Sequence, residues 1–293
     1  RRYNEVAYLA THNSMSSTAN RFISPLQDPD ITTQLDLGAR ALLIDTYMWE
    51  TPEEVAPRLA GSDLSPEEQT IMAGVIDRYA PARPGLWLCH SVCRGGAVPL
   101  VGTMRALGDW LDDNPNEVVT LVVQDAVSAQ QTMDALGEAG LDKFLATPPA
   151  DPEEPWPTLR EMITDNKRLV VFPERADGPD PRYRNFYQYA METPFHFGSP
   201  EEMSCVPNRG GTDKRLFLMN HFITAQGGSR IDAGRINSKQ FVLDRARRCE
   251  QERGSPVNFV AVDFATIGDA RGAVDVLNME RVGSAATLRE DPR

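Results

Sequence analysis

The hydrophobic residues of this chain fall into short continuous runs, separated by helical patterns or by loops rich in proline and glycine. A continuous apolar run of roughly four to eight residues is typical of a strand that is covered on both faces, as in a parallel sheet. We identify eight such runs, at residues 6–10, 41–45, 86–90, 118–123, 169–172, 187–191, 216–220 and 258–263.

Helical periodicity fills several of the intervals between these runs. Residues 101–112 carry apolar side chains at helical spacing and end at Asn114-Pro115, which is a helix stop signal. Similar patterns occupy residues 66–78, 129–139 and 238–252. Strands that alternate with helices indicate an α/β fold, and a chain of 293 residues fits one TIM-type (β/α)8 barrel. We therefore expect a single barrel domain over residues 1–293.

Composition narrows the class of partner. No run approaches the roughly 18 apolar residues that a membrane span requires. The 42 acidic and 30 basic residues give a net charge of −12, which opposes binding to nucleic acid and to anionic lipid surfaces. We expect no nucleic-acid partner, and a site for an anionic substrate must supply its own positive charge.

The polar residues that end the runs are the most informative positions. Side chains at the carboxyl ends of barrel strands converge on one mouth, where barrel enzymes place their active sites. Any one of these residues could instead cap the next helix, but capping is a poor explanation for all of them together. Seven of the eight runs end in such residues: His12 and Asn13, Asp45, His90, Gln124 and Asp125, Glu174, Asn220 and His221, and Asp263.

Two histidines at one mouth suit phosphodiester cleavage. One imidazole removes a proton from the nucleophile and the other protonates the leaving oxygen. A neighbouring substrate hydroxyl as nucleophile would make a cyclic phosphate the first product. We predict His12 and His90 as this catalytic pair, with Asp263 fixing the tautomer of His12 because strands one and eight are neighbours in a closed barrel.

Other residues of the mouth are candidates for metal and substrate binding. Asn13, Asp45 and Asp125 offer only oxygen ligands, which suit Ca²⁺ or Mg²⁺. An arginine in a loop after a strand can pair with a phosphate, although any single one of them is more often a surface residue. These loop arginines are Arg94, Arg175, Arg209 and Arg230. The predicted substrate-binding residues are Arg94, Glu174, Asn220 and His221.

Four cysteines allow two disulfides in three connectivities. We favour Cys89 with Cys93 and Cys205 with Cys249, and the alternative is four reduced thiols in a cytosolic enzyme. A bridge between Cys89 and Cys93 would hold His90 rigidly.

Five ordered stretches resemble the phosphatidylinositol-specific phospholipase C superfamily, and most closely its secreted, X-domain-like branch. They are THNS at 11–14, GARALLIDTY at 38–47, LWLCHS at 86–91, NPNEVVT at 114–120 and NFVAVDF at 258–264. The resemblance runs from about Tyr3 to Asn278. It implies a phospholipase-C-like barrel in which His12 is the general base and His90 the general acid.

The same resemblance places Asn13 and Asp45 on calcium ligands of the metal-dependent members. Two residues depart from that pattern. Leu43 stands where an acidic residue is usual, and Gln124 stands where metal-dependent members carry Glu. Asp125 can compensate only if it faces the mouth, because adjacent strand residues point to opposite faces.

The leading hypothesis is a monomeric, secreted or envelope-associated phosphodiesterase that acts on a lipid or small-molecule phosphodiester, with peripheral membrane contact. One alternative is a glycerophosphodiester or sphingomyelin-type phosphodiesterase. Another is a catalytically silent barrel that binds a lipid headgroup or a glycan. Headgroup specificity is expected to come from the irregular segments 51–84 and 173–215.

Overall fold

The computed structural model describes residues 1–51, 54 and 65–287. Its strands are β1 (Tyr8–Thr11), β2 (Ala41–Met48), β3 (Leu86–Cys89), β4 (Ala97–Pro99), β5 (Val119–Asp125), β6 (Leu169–Pro173), β7 (Ala190–Glu192), β8 (Leu216–His221) and β9 (Phe259–Val262). Its helices are α1 (Ile31–Asp36), α2 (Pro66–Tyr79), α3 (Leu100–Asp113), α4 (Ala129–Glu138), α5 (Leu159–Thr164), α6 (Phe186–Tyr189), α7 (Arg230–Ile236), α8 (Lys239–Arg253) and α9 (Ala270–Thr287).

Parallel strands form the centre of the fold, in the order β6-β5-β2-β1-β9-β8-β7. Helices between successive strands return the chain, as a parallel arrangement requires. β6 and β7 end this order, and no ladder joins them within the described residues. The predicted α/β barrel architecture is confirmed, and β1 and β9 are neighbours as expected.

Two predicted barrel strands differ from expectation. The third run, as β3, pairs antiparallel with the far end of β2, where Tyr47 lies opposite Trp87, and β4 then pairs with β3. β2 continues past Asp45 to Met48, so its extension offers an edge on which this hairpin forms. The sixth run, residues 187–191, is divided between the end of α6 and the start of β7. A short apolar run cannot by itself distinguish these alternatives.

Several helices begin at strong local signals. The capping boxes Ser65 with Glu68, Ser128 with Gln131, and Thr158 with Glu161 start α2, α4 and α5. Each box satisfies backbone N–H groups that have no partner within the helix.

The core has an inner and an outer layer, and strand alternation assigns each residue to one of them. Residues such as Leu43 and Val122 pack inside the barrel, whereas their neighbours Ile44 and Val123 pack against the surrounding helices. On the far side of the barrel, Met219 packs outward against α8 and α9. Because successive side chains of a strand point to opposite faces, this alternation determines which side chain at each strand end can reach the mouth.

Both favoured disulfides are present, between Cys89 and Cys93 and between Cys205 and Cys249. The second ties the segment before β8 to α8. In the part of the chain that the structure describes, no helix combines the length and apolar character needed to cross a bilayer.

Candidate active site

A cavity of about 160 Å³ lies at the carboxyl ends of the parallel strands. We call it the mouth cavity. Its lining consists of His12, Asn13, Leu43, Ile44, Asp45, His90, Ser91, Val122, Gln124, Glu174, Glu192, Phe195, Arg209, Leu218, Asn220 and Phe222.

His12 is held on one side of the mouth cavity by two contacts. Thr11 and Val262 are paired across β1 and β9, so the next residues, His12 and Asp263, are adjacent. The Nδ1 atom of His12 lies 2.8 Å from Oδ1 of Asp263. The ring of Phe222 stacks on the imidazole at 3.8 Å between centroids and an angle of 1°. The carboxylate fixes the tautomer with Nδ1 protonated and leaves Nε2 directed at the cavity.

Asn13 links the two histidines. The side-chain amide of Asn13 lies 3.0 Å from Nε2 of His12 and 3.2 Å from both carboxylate oxygens of Asp45. The amide is also within 3.2 Å of Nδ1 of His90. The backbone of Asn13 is left-handed, with φ of 46°, a conformation that asparagine adopts more readily than most residues. Asn13 therefore occupies the centre of the His12, Asp45 and His90 cluster.

His90 reaches the cavity from outside the parallel strands. It directly follows β3, and its Nδ1 lies 3.6 Å from Oδ2 of Asp45, which is beyond direct hydrogen-bonding distance. The side chain of His90 is 40% exposed, against 21% for His12. An exposed imidazole on this rim can approach a leaving group that departs toward solvent.

The wall across the cavity is an ionic network. Arg209 donates to Glu174 at 3.0 Å and to Glu192 at 2.5 Å, and Asn220 donates to Glu192 at 3.2 Å. The Arg209 guanidinium also lies over the rings of Tyr187 and Phe195, at 4.7 and 4.6 Å. Burial raises the pKa of Glu174, and the positive charge of Arg209 opposes that shift.

The structure brings most of the predicted site residues to the mouth cavity. His12, Asn13, Asp45, His90, Glu174 and Asn220 line it, and Asp263 supports His12 from behind. Segment 173–215 contributes Glu174, Glu192, Phe195 and Arg209. Segment 51–84 lies partly outside the described residues.

Asp125 does not reach the mouth cavity, so its prediction as a metal ligand is not supported. Gln124 faces inward and Asp125 outward, as the alternation of β5 requires. The Asp125 carboxylate instead accepts backbone hydrogen bonds from Arg175 and Ala176, at 2.8 and 2.9 Å. Its role is to hold the loop after β6.

Arg94 and His221, predicted to bind substrate, are also turned away from the cavity. Arg94 pairs with Glu50 and donates to the carbonyl of Ala80. His221 has the outward parity of β8, is fully buried, and pairs with the carbonyl of Ile236 and with Arg245. Burial, followed by the charge of Arg245, lowers the pKa of His221 to about 3. Both corrections reflect side-chain direction, which sequence position alone did not reveal.

Glu192 and Phe222 were missed at the sequence level, and Arg209 was considered only as one of four loop arginines. The alternation of inward and outward residues along the strands could have identified Glu192 and Phe222. Glu192 is two residues after the inward Ala190, and Phe222 is two residues after Asn220, so both share inward parity. Arg209 comes from a loop, where no periodicity predicts side-chain direction.

The donors at the mouth cavity do not fit a hard cation. Asp45 is the only carboxylate of the three proposed ligands that faces the cavity, and the Asn13 amide is the one other proposed ligand beside it. Leu43 occupies the neighbouring inward position. Among the described residues, no group of three or more His, Cys, Asp or Glu is arranged to hold a metal ion. Ca²⁺ prefers six to eight oxygen ligands, a set that this cluster does not supply.

The family model described as PI-PLC X 1 matches residues 79–278. This chain belongs to the PI-PLC X family. It is 28% identical over 300 residues to PI-PLC X domain-containing protein 1 of Arthroderma benhamiae, with 95% of this chain and 86% of that protein covered. An uncharacterized secreted protein of the same fungus is 26% identical over 298 residues, covering 94% of this chain and 60% of the relative.

Among solved structures, the fold is similar to that of a phosphatidylinositol-specific phospholipase C from Staphylococcus aureus. The TM-score is 0.55 at 11% sequence identity, with 95% of this chain and 93% of that chain covered. At this identity the likeness concerns the fold. Together with the family match, it confirms the resemblance read from the five sequence stretches.

Proposed function

We propose that this PI-PLC X family member cleaves a phosphodiester beside a free hydroxyl, using His12 as general base and His90 as general acid. One observation carries the proposal. His12 is fixed by Asp263 and Phe222 with Nε2 toward the cavity, and His90 lines the same cavity within reach of the shared neighbour Asn13. Such a pair supplies both proton transfers of the reaction.

The proposed reaction balances without a further reactant. Nε2 of His12 removes the proton of the substrate hydroxyl while that oxygen forms a bond to phosphorus. The bond from phosphorus to the leaving oxygen breaks, and protonated His90 gives this oxygen its proton. The products are an alcohol and a cyclic phosphodiester. Asp263 stabilises the imidazolium that forms on His12.

The wall of the mouth cavity suits a hydroxyl-rich headgroup without additional phosphates. Among the described residues that line the cavity, Glu174, Glu192 and Asp45 place three carboxylates against the single guanidinium of Arg209. Carboxylate and amide side chains accept hydrogen bonds from hydroxyls, whereas a second phosphate would meet like charge. A phosphoinositide-like substrate with an unphosphorylated ring, as a lipid or deacylated, fits this wall.

The predicted Ca²⁺ or Mg²⁺ has no role in this scheme, because the donor set does not fit it. A glycerophosphodiester or sphingomyelin-type mechanism based on a carboxylate metal cluster is disfavoured for the same reason. Strict Mg²⁺ dependence without a cyclic product would restore that alternative.

We further propose that the protein is secreted or envelope-associated and contacts lipid surfaces peripherally. Two disulfides and a relative described as secreted support the first part. Exposed apolar side chains on α2, Ile71, Met72, Val75 and Tyr79, support the second. The net charge of −12 makes zwitterionic vesicles the surface of choice for a binding test.

The deciding experiment compares wild type with His12→Ala and His90→Ala on phosphatidylinositol and on soluble inositol phosphodiesters, following the cyclic product by ³¹P NMR. We expect each substitution to lower the rate about 10²–10⁴-fold. His196→Ala, which alters an exposed histidine outside the cavity lining, is the control. Unchanged rates in both active-site variants would contradict the proposal. Headgroup binding without turnover in the wild type would favour the silent barrel.

A further inference from the structure

His90 occupies a loop that the barrel itself does not anchor. It follows β3, which is antiparallel to the extension of β2, so no parallel neighbour fixes its position. The chain turns sharply after it: the amide of Val92 donates to the carbonyl of His90 at 2.6 Å, and Ser91 is left-handed with φ of 61°. A general acid at this place needs other contacts to keep it directed at the cavity.

Glu50 supplies one set of contacts. Its buried carboxylate accepts hydrogen bonds from the backbone amides of Cys93 and Arg94, at 3.0 and 3.1 Å. The Arg94 guanidinium lies 3.3 Å from the carboxylate and donates to the carbonyl of Glu50 at 2.6 Å. This ion pair is almost completely buried, so removal of one partner leaves the other uncompensated. Glu50 therefore fixes the chain three and four residues after His90.

The disulfide supplies the second set. Cys89 directly precedes His90, and its bridge to Cys93 closes a five-residue loop around the histidine. Both cysteines are buried and pack with Trp49. The bridge and Glu50 meet at Cys93, so the two constraints act on one short segment. We call Glu50, Arg94 and the Cys89–Cys93 disulfide the His90 clamp.

We infer that the His90 clamp positions the general acid for protonation of the leaving group, with Glu50 as a positioning residue. This inference rests on the proposed function, because it assigns His90 the acid role. It gives a role to a buried acid that does not line the mouth cavity, and to Arg94, which does not reach the substrate.

The test uses two substrates that differ in their need for a general acid. An inositol phosphodiester with an alkyl leaving group requires protonation, whereas its p-nitrophenyl counterpart departs as a stable anion and depends little on an acid. In Glu50→Gln we expect kcat for the alkyl substrate to fall about tenfold or more, and kcat for the aryl substrate to change less than about threefold. His90→Ala should show the same selectivity with a larger loss.

A double variant, Cys89→Ser with Cys93→Ser, tests the clamp independently if Glu50→Gln folds poorly. Its expected result is the same selective loss on the alkyl substrate. The matched control is Cys205→Ser with Cys249→Ser, which removes the other buried disulfide and should affect both substrates equally.

The outcomes separate the inference from the function on which it rests. A wild-type protein that turns over neither substrate contradicts the proposed function. An active wild type whose clamp variants lose both activities equally, or lose neither, overturns the positioning role while leaving the proposed function in place.

Discussion

The two catalytic candidates face one cavity but are held by different parts of the molecule. His12 follows a central barrel strand, bonds to a carboxylate of the adjacent strand and is stacked against Phe222. His90 lies on an added hairpin, has no direct hydrogen bond to Asp45, and is about twice as exposed. A base needs one tautomer and a fixed direction, which the barrel provides. An acid must meet a departing group near solvent, which suits a braced loop.

The largest loss of kcat should come from removing the carboxylate that holds His12. Asp263→Asn removes the charge that stabilises the imidazolium, and we expect kcat to fall about 10²–10⁴-fold on both alkyl and aryl substrates. Steady-state kinetics measure this loss, with the exposed Asp244→Asn as control. A loss confined to the alkyl substrate would show that Asp263 serves the acid step, and it would contradict the assignment of His12 as the base and His90 as the acid.

A third histidine, His221, sharpens the contrast because it also ends a parallel strand but faces outward. Its pKa of about 3 in the fold lies below the roughly 6.5 expected in the unfolded chain. The unfolded state therefore binds more protons between these values, and the free energy of unfolding should fall as the pH falls from about 6.5.

This single group contributes a slope of at most about 1.4 kcal/mol per pH unit. Chemical denaturation between pH 4.5 and 6.5 should give a smaller slope for His221→Gln than for wild type. Equal slopes would contradict a neutral, buried His221. Activity on the aryl substrate, measured at neutral pH, should differ little from that of wild type.

A smaller effect is expected from Phe222→Leu. The substitution keeps an apolar side chain but removes the stacked ring, a contact of about 0.5–1.5 kcal/mol, so kcat should fall about two- to tenfold. The loss should be equal for alkyl and aryl substrates, because it acts on the base. Phe195→Leu, across the cavity, is the control, and any effect there should fall mainly on KM.

The smallest expected effect is that of metal removal. Because the donors around Asp45 do not fit Ca²⁺, treatment with EDTA should change kcat by less than about twofold. Calorimetric titration with Ca²⁺ should show no site in the mouth cavity. Loss of activity with EDTA and its recovery with Ca²⁺ would contradict the donor-set argument and assign Asn13 and Asp45 to a metal.

The sequence predicted a site residue correctly where that residue lies at the carboxyl end of a strand and the alternation of the strand also turns its side chain into the barrel. Five strand-end residues meet both conditions, because they share the inward-facing alternation of their strands: His12, Asp45, Glu174, Asn220 and Asp263. The same rule, applied strictly, excludes Asp125 and His221 and includes Glu192 and Phe222. Those assignments required knowing which residues of each strand face inward. A continuous apolar run does not show this, because the residues on both of its faces are apolar.

The amino-acid sequence by itself determined the α/β architecture, the order of the motifs and the pairing of His12 with Asp263, and it favoured the two disulfides that the structure contains. Only the tertiary structure decided that His90 belongs to an antiparallel hairpin and that Glu50 and Arg94 brace it. It alone placed Arg209 between two carboxylates and brought the side-chain amide of Asn13 beside Asp45. The physical reason is that apolar periodicity specifies local structure and burial, whereas the meeting of polar side chains from distant loops depends on packing across the whole fold.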